Sequence, residues 1–291
     1  MNIKKIFSGA AAVLMLSALL TGCGASLKTA RVAAKFGAAL KEQPVTSATA
    51  EISCGLRTSG LGISAESKFR TVVRSRTDWE SGRSYSDIES TVTVLGSDLT
   101  QNMQCYTSGE TGELVRYIHL DGLDTWVRLE NQRRAIDIDP SVILLLLDKV
   151  SEDTTMEVKE NQSGSIYYVL GLTFTAEDIR EFMETAGMNI PEEFADCDLK
   201  GVTIPIELEL EDKTFLPVSL KIHLQGINQD LIRAMARAFA KGKEIEGIDV
   251  EMDEISLLIT NFGYGPQDIP MLPKGAAEYA LDMEKVKELQ N

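Results

Sequence analysis

Histidine is nearly absent from this chain: His119 and His223 are the only two in 291 residues. Each lies inside a strand-like alternation, and His223 shares a polar row with Lys221, which suits a solvated histidine better than a catalytic base. No Gly-x-Ser-x-Gly elbow, P-loop or His-Glu-x-x-His motif occurs. Cysteine is scarce as well, with four residues and no Cys-x-x-Cys or Cys/His cluster, which argues against zinc or dithiol chemistry. Positive charge is outweighed, 29 basic against 44 acidic residues for a net charge of −15. Such a surface lacks the basic patches that grip nucleic acid or anionic lipid headgroups. Asp137-x-Asp139 is not followed by the glycine and closing glutamate of an EF-hand loop, and Asp139 before Pro140 reads better as a helix N-cap. Glu207 and Glu209 alternate onto one wet face of a strand, with nothing there to raise either pKa as a glycosidase pair requires. The two tryptophans, Trp79 and Trp126, suit strand packing or hairpin cover better than sugar stacking. No enzyme activity, cofactor or metal is expected.

What is present begins at the N-terminus. Lys4 and Lys5 precede an apolar stretch from Ile6 to Leu20, and Leu20-Thr21-Gly22-Cys23 ends it on small residues and a cysteine. That stretch is short for a membrane span, which needs about 20 residues, and its exit favours export and cleavage. No later segment has 18 uninterrupted apolar residues. The segment resembles the bacterial lipoprotein signal, in which cleavage falls between Gly22 and Cys23 after Cys23 has received a diacylglyceryl group. The expected organisation is therefore a signal peptide over 1–22, a lipidated tether over 23–26 and a single domain over 27–291. Two acyl chains give stable anchoring. The resemblance implies a lipid-anchored protein on the extracytoplasmic face of a bacterial membrane, its contact with the membrane made through that lipid. With Cys23 so assigned, Cys54, Cys105 and Cys197 allow at most one internal disulfide. Buried free thiols are the expected state, the alternative being a pairing of Cys54 with Cys105, which both lie on strand-like segments.

Beyond the tether, Val32, Phe36, Ala39 and Leu40 recur at helical spacing over 27–42, and Pro44 closes that helix. The period then changes to two. Ala50, Ile52, Cys54 and Leu56 begin a series of alternating runs that continues through Thr125–Leu129, joined by short turns such as Ser81-Gly82 and Gly96-Ser97. This predicts an antiparallel meander. After Asp139-Pro140, Val142 to Leu147 are all apolar, and a helix apolar on every side must be enclosed by protein or ligand. Strands near 155–159 and 166–172 follow, and Thr175-x-x-Asp178 opens a helix whose face carries Ile179, Phe182, Met183 and Ala186. Val202–Leu210 and Leu216–Leu224 alternate about a turn at Asp212-Lys213-Thr214, and pairing Leu210 with Leu216 places both apolar rows on one face. A helix near 228–241 comes next, then a strand from Val250 with a bulge at Asp253-Glu254, and a last helix over about 275–289. Strands and helices share apolar faces without a dividing linker, so the expected fold is a single α+β domain.

The lipobox, the first helix, the meander ending in Arg116-Tyr117-Ile118-His119-Leu120-Asp121-Gly122-Leu123-Asp124-Thr125-Trp126, the Leu210–Val218 hairpin and the ending Ile269-Pro270-Met271-Leu272-Pro273 together resemble bacterial lipoproteins of the LolA/LppX type. That resemblance implies a strongly curved antiparallel sheet, a half-barrel closed by α-helices over an apolar cavity, and a non-catalytic binder or carrier of a lipid or acyl chain. Val142, Leu145, Leu146, Ile179, Phe182, Met183 and Met235 are the candidate cavity lining, methionine adapting to ligands of varied shape. The alternative is a cell-surface interaction or sensing module whose cavity is filled by side chains. A monomer with no nucleic-acid partner fits either.

Overall fold

The computed structural model describes residues 24–60, 63–108, 115–122, 125–130, 150, 153–175, 177–178, 203–223 and 248–282. The first element is helix α1 (Gly24–Glu42), which begins at Gly24 rather than Leu27 and so takes in residues assigned to a tether. Strands β1 (Val45–Gly60), β2 (Ile63–Asp78), β3 (Arg83–Val94), β4 (Ser97–Ser108), β5 (Val115–Leu120) and β6 (Trp126–Glu130) form the predicted meander. A second run comprises β7 (Thr155–Glu160), β8 (Ile166–Thr175), β9 (Thr203–Glu211), β10 (Pro217–His223) and β11 (Ile248–Tyr264). The chain returns so that β11 pairs with β1, joining the two runs into one 12-stranded sheet of order β12-β6-β5-β4-β3-β2-β1-β11-β10-β9-β8-β7. The sheet is large and curved but not closed, its edge strands being β12 (Leu281–Asp282) and β7. Strand twist and bulges bend it. The β1/β11 ladder shifts register at Val45/Ser47, Ser47/Thr49 and Gly55/Leu56. The last shift leaves Asp253 as the extra residue, where the phase change of the sequence placed a bulge.

Two expectations are corrected. The helix expected over about 275–289 is, within the described residues, a single turn, α2 (Ala276–Tyr279), after which Leu281 and Asp282 pair in parallel with Val127 and Arg128 of β6. The sheet is thus mixed at that edge. In the β9/β10 hairpin, Leu210 lies opposite Pro217, and Glu211 N–H donates to Leu216 C=O at 3.0 Å. The register slips between Pro217 and Ser219, which turns Val218 out to solvent and restores Leu208 opposite Leu220.

Alternation along β1 to β6 gives the sheet two faces. The inner face carries Ala48, Ala50, Ile52 and Cys54 of β1 with their cross-strand partners, and α1 packs on its other half, over β8 to β11. Val32, Phe36 and Leu40 of α1 meet Leu170, Leu172, Ile206, Leu208, Leu210 and Ile259 in the main core. Phe36 is fully buried. Each such side chain contributes about 1.5–3 kcal/mol by leaving water. The capping box read at Thr175 and Asp178 is formed: Thr175 N–H and Oγ1 each donate to Asp178 Oδ2 at 2.7 Å.

The outer face is polar and partly roofed. After β11 the chain crosses back over the strand ends to reach β6, and on the way Ile269 and Leu272 pack on Tyr85, Tyr106, Tyr117 and Trp126. Tyr85 and Tyr106 rings lie 4.7 Å apart, Tyr106 meets Trp126 edge-on at 5.5 Å, and His119 sits 4.8 Å from Trp126. Trp126 therefore packs within the strands, and Trp79 Nε1–H caps the Val45 carbonyl at 2.7 Å.

A candidate ligand trough on the inner face

The inner face of β1 to β4 is where apolar surface lies open. Cross-strand partners share a face, so the register defines rows running across the sheet. Ala48, Ser75, Ser86, Cys105 and Ile118 make one row; Ala50, Val73, Ile88, Met103 and Leu120 the next. Ile52, Thr71, Ser90 and Gln101 follow, and then Cys54, Phe69, Val92 and Leu99. Val73, Ile88 and Cys105 are buried, with Ala50, Met103 and Ile118 packed against them. Cover is lost along the strands. On β4, exposure rises from 4% at Cys105 to 69% at Leu99, while Ile52 reaches 44% on β1 and Phe69 37% on β2. Leu95, in the turn between β3 and β4, is exposed at the same end. The apolar rows thus form a trough, closed near Cys105 and open near Leu99.

The closed end is polar. One row beyond Cys105 stand Thr77, Ser84, Thr107 and Arg116, all buried. Ser75 and Ser86 bond hydroxyl to hydroxyl at 3.0 Å in the adjoining row. A small hollow beside them is lined by Thr46, Ala48, Ser75 and Thr77. Burial pushes the Cys54 thiol pKa up. Cys54 and Cys105 form no disulfide with each other: β2 and β3 separate their strands, about 14 Å at ordinary strand spacing, beyond the reach of such a bond.

On the outer face, Arg70 forks onto Glu51 with bonds of 2.9 and 2.8 Å and holds that carboxyl below its usual range. His223 Nε2 meets Glu207 at 3.1 Å, and Ser219 donates to Glu209 at 2.8 Å. The two glutamates are thus tied separately along the outer strands. Tyr85 donates to Asp87, and burial together with that carboxylate raises the phenol pKa. Among the described residues no cluster of three metal-ligating side chains occurs, and no helix is long and apolar enough to cross a membrane.

Of the residues singled out in the sequence, Gly22, Cys23, Val142, Leu145, Leu146, Ile179, Phe182, Met183 and Met235 lie outside the described residues, as do Asp137, Asp139 and Cys197. The residues that build the trough were visible only as strand alternation. Nothing in that pattern separates a lining from a core. Arg116 was legible as sharing a face with Ile118 and Leu120, yet its burial was not.

No protein-family model and no curated protein matches the chain. Solved structures similar to it include LprF from Mycobacterium bovis, at 15% identity over 84% of this chain and 96% of that one, with a TM-score of 0.40. A DUF1329 family protein from Desulfovibrio piger is 10% identical over 87% of this chain and 98% of that one, with a TM-score of 0.24. A beta-barrel-like protein of a domain of unknown function, DUF1849, from Brucella abortus is 10% identical over 76% of this chain and all of that one, with a TM-score of 0.25. The resemblance to the LolA/LppX type stands with these neighbours beside it. Likeness at such TM-scores decides neither a ligand nor an activity for this chain.

Proposed function

We propose that this protein is an extracytoplasmic lipoprotein, anchored through Cys23, that binds an apolar ligand such as an acyl chain without catalysis. The observation that carries the reading is the gradient of cover along the inner face, from buried Cys105 to Leu99 at 69% exposure. A core made only for stability has no reason to leave Ile52, Phe69 and Leu99 open in neighbouring rows, since each forfeits part of its burial energy. Apolar patches left open on a polar protein mark binding surfaces. In this reading the helices expected at Val142–Leu147, from Thr175-x-x-Asp178 to Gly187 and near 228–241 close the half-barrel, and Val142, Leu145, Leu146, Ile179, Phe182, Met183 and Met235 face the ligand from that side. The domain acts as a monomer, and the acidic surface keeps it soluble beside the membrane.

The test uses the full chain carrying Cys23→Ser, so that no lipid is attached covalently. Native mass spectrometry should show copurified lipid, and the protein should take up both a fluorescent fatty acid and a fluorescent fatty alcohol. Protein that is stoichiometrically empty and takes up neither probe would overturn the proposal in favour of an interaction module with a filled core.

A further inference from the structure

The closed end of the trough holds a buried cation. Arg116 is 4% exposed, and its Nε has no hydrogen-bond partner. Arg116 is two residues before Ile118 on β5, so its side chain leaves the strand on the same inner face as the apolar rows. Its row runs to Leu129 of β6 on one side and through Thr107, Ser84 and Thr77 on the other, the three hydroxyl side chains being themselves buried. None of these neutralises a guanidinium, and none of the ion pairs among the described residues includes Arg116. A buried charge is ordinarily paired, and one left without a partner is costly. An orphaned buried donor calls for a ligand that accepts from it.

The geometry points to an oxyanion. We infer, building on the trough reading, that Arg116 receives the anionic head group, a carboxylate or phosphate, of a lipid whose chain lies along the apolar rows toward Leu99. Guanidinium is the side chain best shaped to fork onto a carboxylate or phosphate. The hydroxyl of Thr107, directly opposite on β4, flanks it as an additional donor. From Thr107 to Leu99 the strand runs about 26 Å at about 3.3 Å per residue, room for an extended acyl chain. The order along the trough is then cation, buried apolar rows, open apolar mouth, which is the order of a single-chain anionic lipid inserted head first.

Photolabelling of the full Cys23→Ser chain with diazirine-bearing alkyl probes of one length tests this. A fatty acid and an alkyl phosphate should label β2 and β4 peptides at least tenfold more efficiently than the fatty alcohol, and millimolar inorganic phosphate should not remove that preference. Arg116→Met should bring the anionic probes down to the alcohol's level, and Arg116→Lys should retain part of the preference. Equal labelling by acid and alcohol in the unmutated chain overturns the head-group site while leaving the trough intact, and needs no variant to fold. Loss of the preference on adding inorganic phosphate overturns a lipid as the source of the anion. Absence of labelling by all three probes overturns the trough and the head-group site together.

Discussion

Replacing Ile52 by Thr and Leu99 by Ser should empty the trough of ligand while leaving the fold standing, because the two side chains are only partly spent on folding. Leu99 is 69% exposed and Ile52 44% exposed. Full burial of such a side chain is worth about 2–3 kcal/mol, so the pair has contributed roughly 2 kcal/mol to stability and keeps about 3 kcal/mol of apolar burial in reserve. A ligand that covers the mouth collects that reserve. Its loss corresponds to an increase of about 100-fold in Kd. The residues lie in different rows on strands separated by two others, so their effects should add. Thr keeps the β-branched shape at position 52 and with it the strand preference. The assay is titration of the full Cys23→Ser chain with a fluorescent fatty alcohol, alongside a urea melt, with Leu208→Ala as the contrasting core variant. Leu208 is buried against α1, and its truncation should cost about 2–5 kcal/mol. The double variant should thus lose affinity more than stability. Unchanged affinity in a folded double variant would refute the mouth, and a stability loss as large as that of Leu208→Ala would show Ile52 and Leu99 to be core.

Phe36→Ala should destabilise by about 3–5 kcal/mol in a urea melt, since the ring is fully buried at the centre of the α1 contact. Tyr264→Phe should cost about 1–2 kcal/mol by the same measurement, because it removes the 2.7 Å bond to the Pro217 carbonyl between β11 and β10. Thiol mapping of the folded chain should modify Cys54 before Cys105, the latter being buried, and slowly below the pH range of an ordinary thiol because burial raises the Cys54 pKa. Arg70 depresses the Glu51 pKa, so that pair's stabilisation is present above the usual carboxyl value and fades as pH falls through the lowered one. An acid titration of wild type against Arg70→Met should therefore converge at low pH and differ only slightly near neutrality, less at high salt.

How much of this was legible depends on which residues one asks about. The strands of the first meander were readable because Ala50, Ile52, Cys54 and Leu56 alternate with polar residues along a sheet with one apolar face. The Thr175–Asp178 cap and the Asp253 bulge were readable because each leaves a local signature. Three features were hidden, the last two because their causes are not local. The slip at Pro217 follows from the geometry of the β9/β10 turn, where Phe215 takes a positive φ of 58°. The segment after Tyr279 turns to strand at Leu281 and Asp282, which pair with β6, and helical spacing cannot report on a partner some 150 residues away. The burial of Arg116 follows from its place in the row of Thr77, Ser84 and Thr107, hydroxyl residues drawn from three other strands.

The early start of α1 bears on how the trough would meet its ligand. If Cys23 carries the anchor, the helix begins at the next residue, and Thr29 is already buried. At 1.5 Å per residue, Gly24 and Thr29 are about 7.5 Å apart along the axis, so the domain would sit against the bilayer rather than on a leash. Ligand would then pass from membrane to trough by contact, not by diffusion through water. Inserting a flexible Gly/Ser linker of about 20 residues between Cys23 and Gly24 leaves the lipobox and helix intact and raises the mean separation to roughly 25 Å. The effective concentration of the mouth at the bilayer falls with linker length. Transfer of a fluorescent fatty acid from vesicles to the anchored protein should slow several-fold, while affinity measured on the unanchored Cys23→Ser form stays the same. A transfer rate indifferent to the linker would mean that ligand arrives through solvent, and that α1 starts at Gly24 for the sake of the core it shares with β8 to β11 alone.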